Sequence, residues 1–131
     1  MTRVAAFLTA FLLIACMGEI PMSPTQQWDG LDFRLETRPP HITQGMMEFL
    51  VIANRPGRKP ASGMIIDLRV GPTGRWVQAI EDGNVGVYRR AIKVNDPKTD
   101  IMYVHIRRKG KDKDKEKEGL LEFPLDYGIK K

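Results

Sequence analysis

From Leu31 to Leu125 apolar and polar side chains alternate in short runs broken by glycine, proline, asparagine and aspartate, and a period of two admits strands and little else. Leu31, Phe33 and Leu35 alternate with Asp32, Arg34 and Glu36, and the apolar run Met46 to Ala53 follows the turn-forming Arg38-Pro39-Pro40 and Gly45. Asn54-Arg55-Pro56-Gly57-Arg58-Lys59-Pro60 reads as a loop, after which Met64, Ile66, Leu68 and Val70 share one face and Asp67 and Arg69 the other. Gly71-Pro72-Thr73-Gly74 and Glu81-Asp82-Gly83-Asn84 are turns on either side of a short strand from Trp76 to Ile80. The remaining strands run from Val85 to Val94, Ile101 to Arg108 and Leu120 to Leu125. In the second of these Met102, Val104 and Ile106 form one face, and Tyr103 and His105 the other. No segment beyond residue 17 keeps a helical period. About seven short strands, each with one apolar face to cover, predict an all-β fold: a single immunoglobulin-like two-sheet β-sandwich over residues 31–127. A length of 131 residues leaves room for one such domain.

The N-terminus has a different grammar. Met1-Thr2-Arg3 is a short positive segment, and Val4 to Ile14 is apolar with only Thr9 as a polar interruption. Such a stretch is short of the roughly 20 residues a spanning helix needs, and the chain turns polar soon afterwards at Glu19, Pro21 and Pro24. Residues 1–15 therefore read as a secretory signal peptide. Its end, Leu13-Ile14-Ala15-Cys16, resembles the lipobox of bacterial lipoproteins. That resemblance implies transfer of a diacylglyceryl group to the Cys16 thiol, cleavage between Ala15 and Cys16, and acylation of the new amino group. Small Ala15 gives the peptidase access, and the thiolate is the nucleophile that takes the lipid. Cys16 is the only cysteine, so no disulfide within the chain competes for it. At about 0.8 kcal/mol per buried CH₂, two or three acyl chains hold a protein firmly to a bilayer. In the Gram-negative family pattern aspartate after the cysteine favours the inner membrane; Met17 stands there, which implies the outer one. Residues 16–30, with Pro21, Ser23, Pro24, Thr25, Gln26 and Gln27, read as the lipidated cysteine and a flexible tether, with Trp28 either the first residue to pack on the domain or one that touches lipid headgroups.

Gly57-Arg58-Lys59-Pro60-Ala61-Ser62-Gly63-Met64 leading into a strand, Gly86-Val87-Tyr88-Arg89-Arg90-Ala91, and the late strand through Leu121-Glu122-Phe123 resemble the YtkA-like family of small exported immunoglobulin-like domains. The resemblance covers roughly residues 31–126, and it implies a role in copper handling or in assembly of respiratory oxidases. Soft thioether and imidazole ligands suit copper(I), and His41-Ile42-Thr43-Gln44-Gly45-Met46-Met47 is the one local cluster of such groups, so His41, Met46 and Met47 are the candidate metal ligands. Against this, Met47 alternates with Phe49 and Val51 as a core residue does, and His105, on a face shared with Tyr103 and Arg107, reads as a partly exposed strand histidine rather than a ligand.

Catalytic patterns are absent from the sequence. Ser23 and Ser62 lie in loops without a nearby histidine or a nucleophile elbow, and Gly71-Pro72-Thr73-Gly74 lacks the lysine of a phosphate-binding loop. The formal charge of +5 is concentrated in residues 107–118, which hold seven basic and four acidic residues. A run that mixes signs between two strands reads as a solvated hairpin loop rather than a nucleic-acid groove. Its cations Arg107, Arg108, Lys109, Lys111 and Lys113 could meet anionic headgroups or an acidic partner, or simply keep a strand edge soluble. Residues 128–131 read as a basic tail. The expected protein is thus not an enzyme. It is a lipid-anchored subunit of the cell envelope, facing the periplasm or the exterior, that binds or assembles a larger envelope complex; copper handling is the alternative. No nucleic acid or small-molecule substrate is indicated.

Overall fold

A computed structural model describes residues 20–110 and 115–130. The signal peptide, Cys16, Met17, Lys111 and Lys113 lie outside the described residues. The strands are β1 (Gln26–Trp28), β2 (Leu31–Arg38), β3 (Gly45–Arg55), β4 (Lys59–Pro60), β5 (Ile65–Val70), β6 (Val77–Gln78), β7 (Ile80–Glu81), β8 (Val87–Val94), β9 (Ile101–Lys109) and β10 (Glu116–Pro124), followed by a 3₁₀ turn at Leu125–Gly128. All pairings are antiparallel. One sheet has the order β1-β2-β3-β8-β7, with β4 on the end of β3, and the other the order β10-β9-β5-β6. The two make an all-β sandwich of immunoglobulin-like character.

The period-two pattern forms this core for a direct reason: alternate residues of each strand face the opposing sheet and exclude water. Phe33, Leu35, Met47, Phe49 and Val51 of the larger sheet meet Ile66, Leu68, Met102, Val104, Ile106 and Phe123 of the smaller, all within one buried cluster. Each such side chain contributes about 1.5–3 kcal/mol when fully buried. Tyr88 is the largest buried residue, and its hydroxyl is satisfied on both sides: it donates to the Ala61 carbonyl (3.0 Å) and accepts from the Met64 N–H (3.3 Å). The phenol thereby pins the β3–β5 connection to β8.

Three sequence expectations change. The tether reading fails for residues 23–28. Ser23 is buried, its Oγ accepts the Leu35 N–H (2.6 Å), its own N–H donates to the Leu35 carbonyl (3.3 Å), and β1 pairs with β2 from Gln26↔Phe33 to Trp28↔Leu31. Trp28 covers Gly119 of β10, where any Cβ would collide with the indole, and the Gln26 side chain donates to the Glu122 carbonyl (2.6 Å). This segment seals one flank of the sandwich. The strand expected from Trp76 to Ile80 is instead two dipeptides in different sheets, β6 against β5 and β7 against β8. The chain crosses between them at buried Ala79, whose N–H donates to the Ile66 carbonyl (2.8 Å). The basic tail begins later than Gly128, which is buried against Ile42 and accepts its N–H (2.8 Å).

The ends of the sandwich are chemically distinct. Because β1 runs antiparallel to β2, the N-terminal chain approaches at the end where β2 finishes at Arg38. The Asp29-Gly30 turn, the loop after Arg55 and the β9–β10 hairpin lie at the opposite end.

Candidate binding surface

The inward faces of β5 and β9 are core, so their outward residues form a second layer on the smaller sheet. The register places Arg69 beside Tyr103 and Glu122 beyond it, Asp67 beside His105 with Leu120 beyond, and Ile65 beside Arg107 with Glu118 beyond. Trp76, just before β6, folds over this face: the Arg69 guanidinium lies 4.5 Å from the centre of its ring and 4.9 Å from that of Tyr103. Each such cation–π contact contributes roughly 0.5–1 kcal/mol at an exposed site. The His105 ring sits 5.9 Å from the indole, tilted by 58°.

Polar groups fix the rest of the layer. Arg107 donates to Asp67 Oδ2 (3.2 Å); His105 Nδ1 lies 3.8 Å from the same oxygen and Nε2 3.6 Å from Glu118 Oε2. The Nε atoms of Arg69 and Arg107 are covered and have no acceptor. Stacking and the ion pair, rather than hydrogen bonds through Nε, therefore hold these guanidiniums. The outcome is a preset surface. Trp76 is 42 % exposed and Leu120 53 % exposed, with Ile65 also accessible, yet the tryptophan is clamped between a cation and a histidine.

The candidate metal ligands do not come together. Met46 and Met47 are successive residues of β3 and project from opposite faces of its sheet: Met46 is 67 % exposed and Met47 3 % exposed. Met47 packs in the core, with its sulfur 3.8 Å from the Thr43 hydroxyl. The two thioethers cannot share one coordination sphere, and the cluster read at His41, Met46 and Met47 is corrected accordingly. No group of three or more histidine, cysteine, aspartate or glutamate side chains able to hold a metal occurs among the described residues.

The charged run 107–118 is also redrawn. Arg107, Arg108 and Lys109 belong to β9, and Glu116, Lys117 and Glu118 to β10, with Lys109 opposite Glu116 and Arg107 opposite Glu118. Opposite charges across a strand pair stabilise the register, so β9 continues to Lys109 and β10 begins at Glu116. Arg108 and Lys117 both reach back to Asp29, each at 2.9 Å. Those bonds lower the Asp29 pKa from its ordinary 3.8, with the Lys117 hydrogen bond the largest cause, burial opposing it, and the Lys117 and Arg108 charges adding to the lowering. Thus Arg107 and Arg108 face Asp67 and Asp29 of their own chain.

The residues that carried the YtkA-like resemblance have structural duties. Gly86, at φ +71°, passes so close to the Ala53 carbonyl that no Cβ fits, and Tyr88 is the buried clamp. Comparison with protein-family models, curated proteins and solved structures found no match.

The aromatic layer was half visible in the sequence. Asp67, Arg69, Tyr103 and His105 are assigned to outward faces by alternation alone. That β5 lies next to β9, and that Trp76 leaves its strand to cover Arg69, depends on topology that no local pattern carries.

Proposed function

We propose that this chain is a lipid-anchored, extracytoplasmic binding module, a non-catalytic accessory or assembly subunit of a larger envelope complex, which engages its partner through the outer face of the four-stranded sheet. The observation that carries this reading is the Trp76–Arg69–Tyr103 layer, flanked by exposed Leu120 and Ile65. Tryptophan, tyrosine and arginine dominate the energetics of protein interfaces, and side chains already fixed in place lose little entropy on binding. The anchor is supported by the Leu13-Ile14-Ala15-Cys16 motif and by the apolar segment before it, and Met17 supports the outer membrane of a Gram-negative cell.

The test is expression of the full chain in a bacterial host beside the Cys16→Ser and Trp76→Ala variants. Intact mass and membrane fractionation report the anchor; co-purification from detergent-solubilised membranes reports the partner. The expected result is acylated, membrane-bound protein that loses both properties in Cys16→Ser, and a co-purifying complex that is lost in Trp76→Ala while the anchor remains. An unmodified, unanchored wild-type protein overturns the anchor, and a complex retained by Trp76→Ala overturns the assigned face.

A further inference from the structure

Two clefts meet at Arg55, at the end of β3 that adjoins the Asp29-Gly30 turn and the β9–β10 hairpin. The first, a cavity of about 560 Å³, is lined by Arg55, Arg108, Lys109, Lys115 and Lys117, with Asp29 as its one acid. The second, about 500 Å³, lies on the outer side of β2 and β3 and adds Arg34 and Arg58 against Asp32. Seven cations thus face two carboxylates; of these groups Asp29 is already bonded to Arg108 and Lys117, and the Arg34 Nε donates to Glu36 Oε1 (3.2 Å) just outside the cleft. Glu116, across from Lys109, offsets one more charge. Residues 111–114, outside the described residues, read Lys-Asp-Lys-Asp and carry no net charge.

Like charges gathered at one place repel, and a ligand of opposite sign relieves that repulsion. The shape narrows the ligand. Arg34 pairs with Ile52, and Arg55 lies three positions further along β3, a span of about 10 Å at roughly 3.3 Å per residue, before the cations of the tip are added. A single phosphate does not reach along such a row. The lining residues include no exposed aromatic side chain on which a nucleic-acid base could stack.

We infer that the two clefts bind an extended, phosphate-bearing polyanion without bases, held by Arg34, Arg55 and Arg58 along one side and by Lys109 and Lys115 at the tip. Neither lipid on Cys16 nor the aromatic sheet face is needed for this binding, so it stands or falls separately from the function proposed above.

The experiment is a titration of the full chain in neutral detergent with three probes: inorganic polyphosphate, orthophosphate, and vesicles containing phosphatidylglycerol. Polyphosphate is expected to bind at least 100-fold more tightly than orthophosphate and to outcompete the vesicles. Its affinity should fall steeply with salt, and each contacting cation removed should lower that slope by about one. Arg55→Ala/Arg58→Ala and Lys109→Ala/Lys115→Ala, all at exposed or rim positions, should each weaken binding tenfold or more. Lys93→Ala/Lys98→Ala, an equal charge change at the other end, should change it less than twofold. Equal losses in all three double variants would reduce the effect to net charge and overturn the site, as would no loss in the first two. Orthophosphate binding as tightly as the polymer overturns the extended ligand, and vesicles that displace the polymer transfer the site to lipid headgroups.

Discussion

Two phenols show how single groups set the stability of this domain. Tyr88 satisfies a buried carbonyl and a buried N–H at once, whereas the half-buried Tyr127 donates only to the Leu35 carbonyl (3.3 Å). Tyr88→Phe therefore orphans two buried backbone groups and should cost about 1–3 kcal/mol in urea denaturation, and Tyr127→Phe about 0.5–1.5 kcal/mol. Burial raises the pKa of both phenols above the ordinary 10. The folded state then keeps protons that the unfolded chain releases, so their contribution is complete below pH 10 and declines as pH rises beyond it. In the double Phe variant this alkaline decline should flatten. Asp29 acts with the opposite sign. Its pKa is lowered by Lys117 and Arg108, so its contribution is present above pH 3.8 and is lost as pH falls from there through the folded value. Asp29→Asn should abolish that part of the acid loss, and a variant with an unchanged acid limb would show that the pairs hold nothing together.

At the scale of elements the flank built by β1 and β10 is closely fitted, with the Trp28 indole occupying the space a side chain on Gly119 would need. Gly119→Ala forces a methyl into the space of the Trp28 indole and should cost about 1–3 kcal/mol. In a Trp28→Ala background the same change should be nearly neutral, and a double-mutant cycle that instead finds the two effects additive would disprove the contact. This flank also marks where the sequence becomes hard to read. Long strands such as β2, β5 and β9 announce themselves through alternation because each buries one face along its whole length. β1 carries Gln26 and Gln27 and works through backbone pairing and one large ring, so its composition matches a linker. β6 and β7 are each two residues long, too short to express any period, and their division between sheets rests on the single small residue Ala79. The ends of β9 and β10 were hidden for another reason: their register is held by cross-strand charges, which a reading based on apolar alternation assigns to a loop. The candidate surface follows the same rule. Its residues could be placed on outward faces strand by strand, but their assembly could not.

The molecule as a whole depends on residues that precede the alternating region. A chain shortened to begin at Leu31 loses β1, the Trp28 packing and the Ser23–Leu35 bonds, and leaves β2 as an open edge. It should lose about 2–4 kcal/mol of stability and associate through that edge, whereas a chain beginning at Ile20 should keep the stability of the full protein. Chemical denaturation and sedimentation check both outcomes.

The course of β1 also has a mechanical meaning. The strand runs antiparallel to β2, and the preceding chain continues in line with it past Leu35 towards the β2 terminus. Tension applied at the N-terminus therefore pulls β1 lengthwise past β2 and does not peel it away sideways. Its hydrogen bonds to β2, the Ser23 pair and the Gln26 link to β10 are strained together in shear, so none gives way before the others share the force. A domain loaded through β1 in this way resists being drawn open from its N-terminal side.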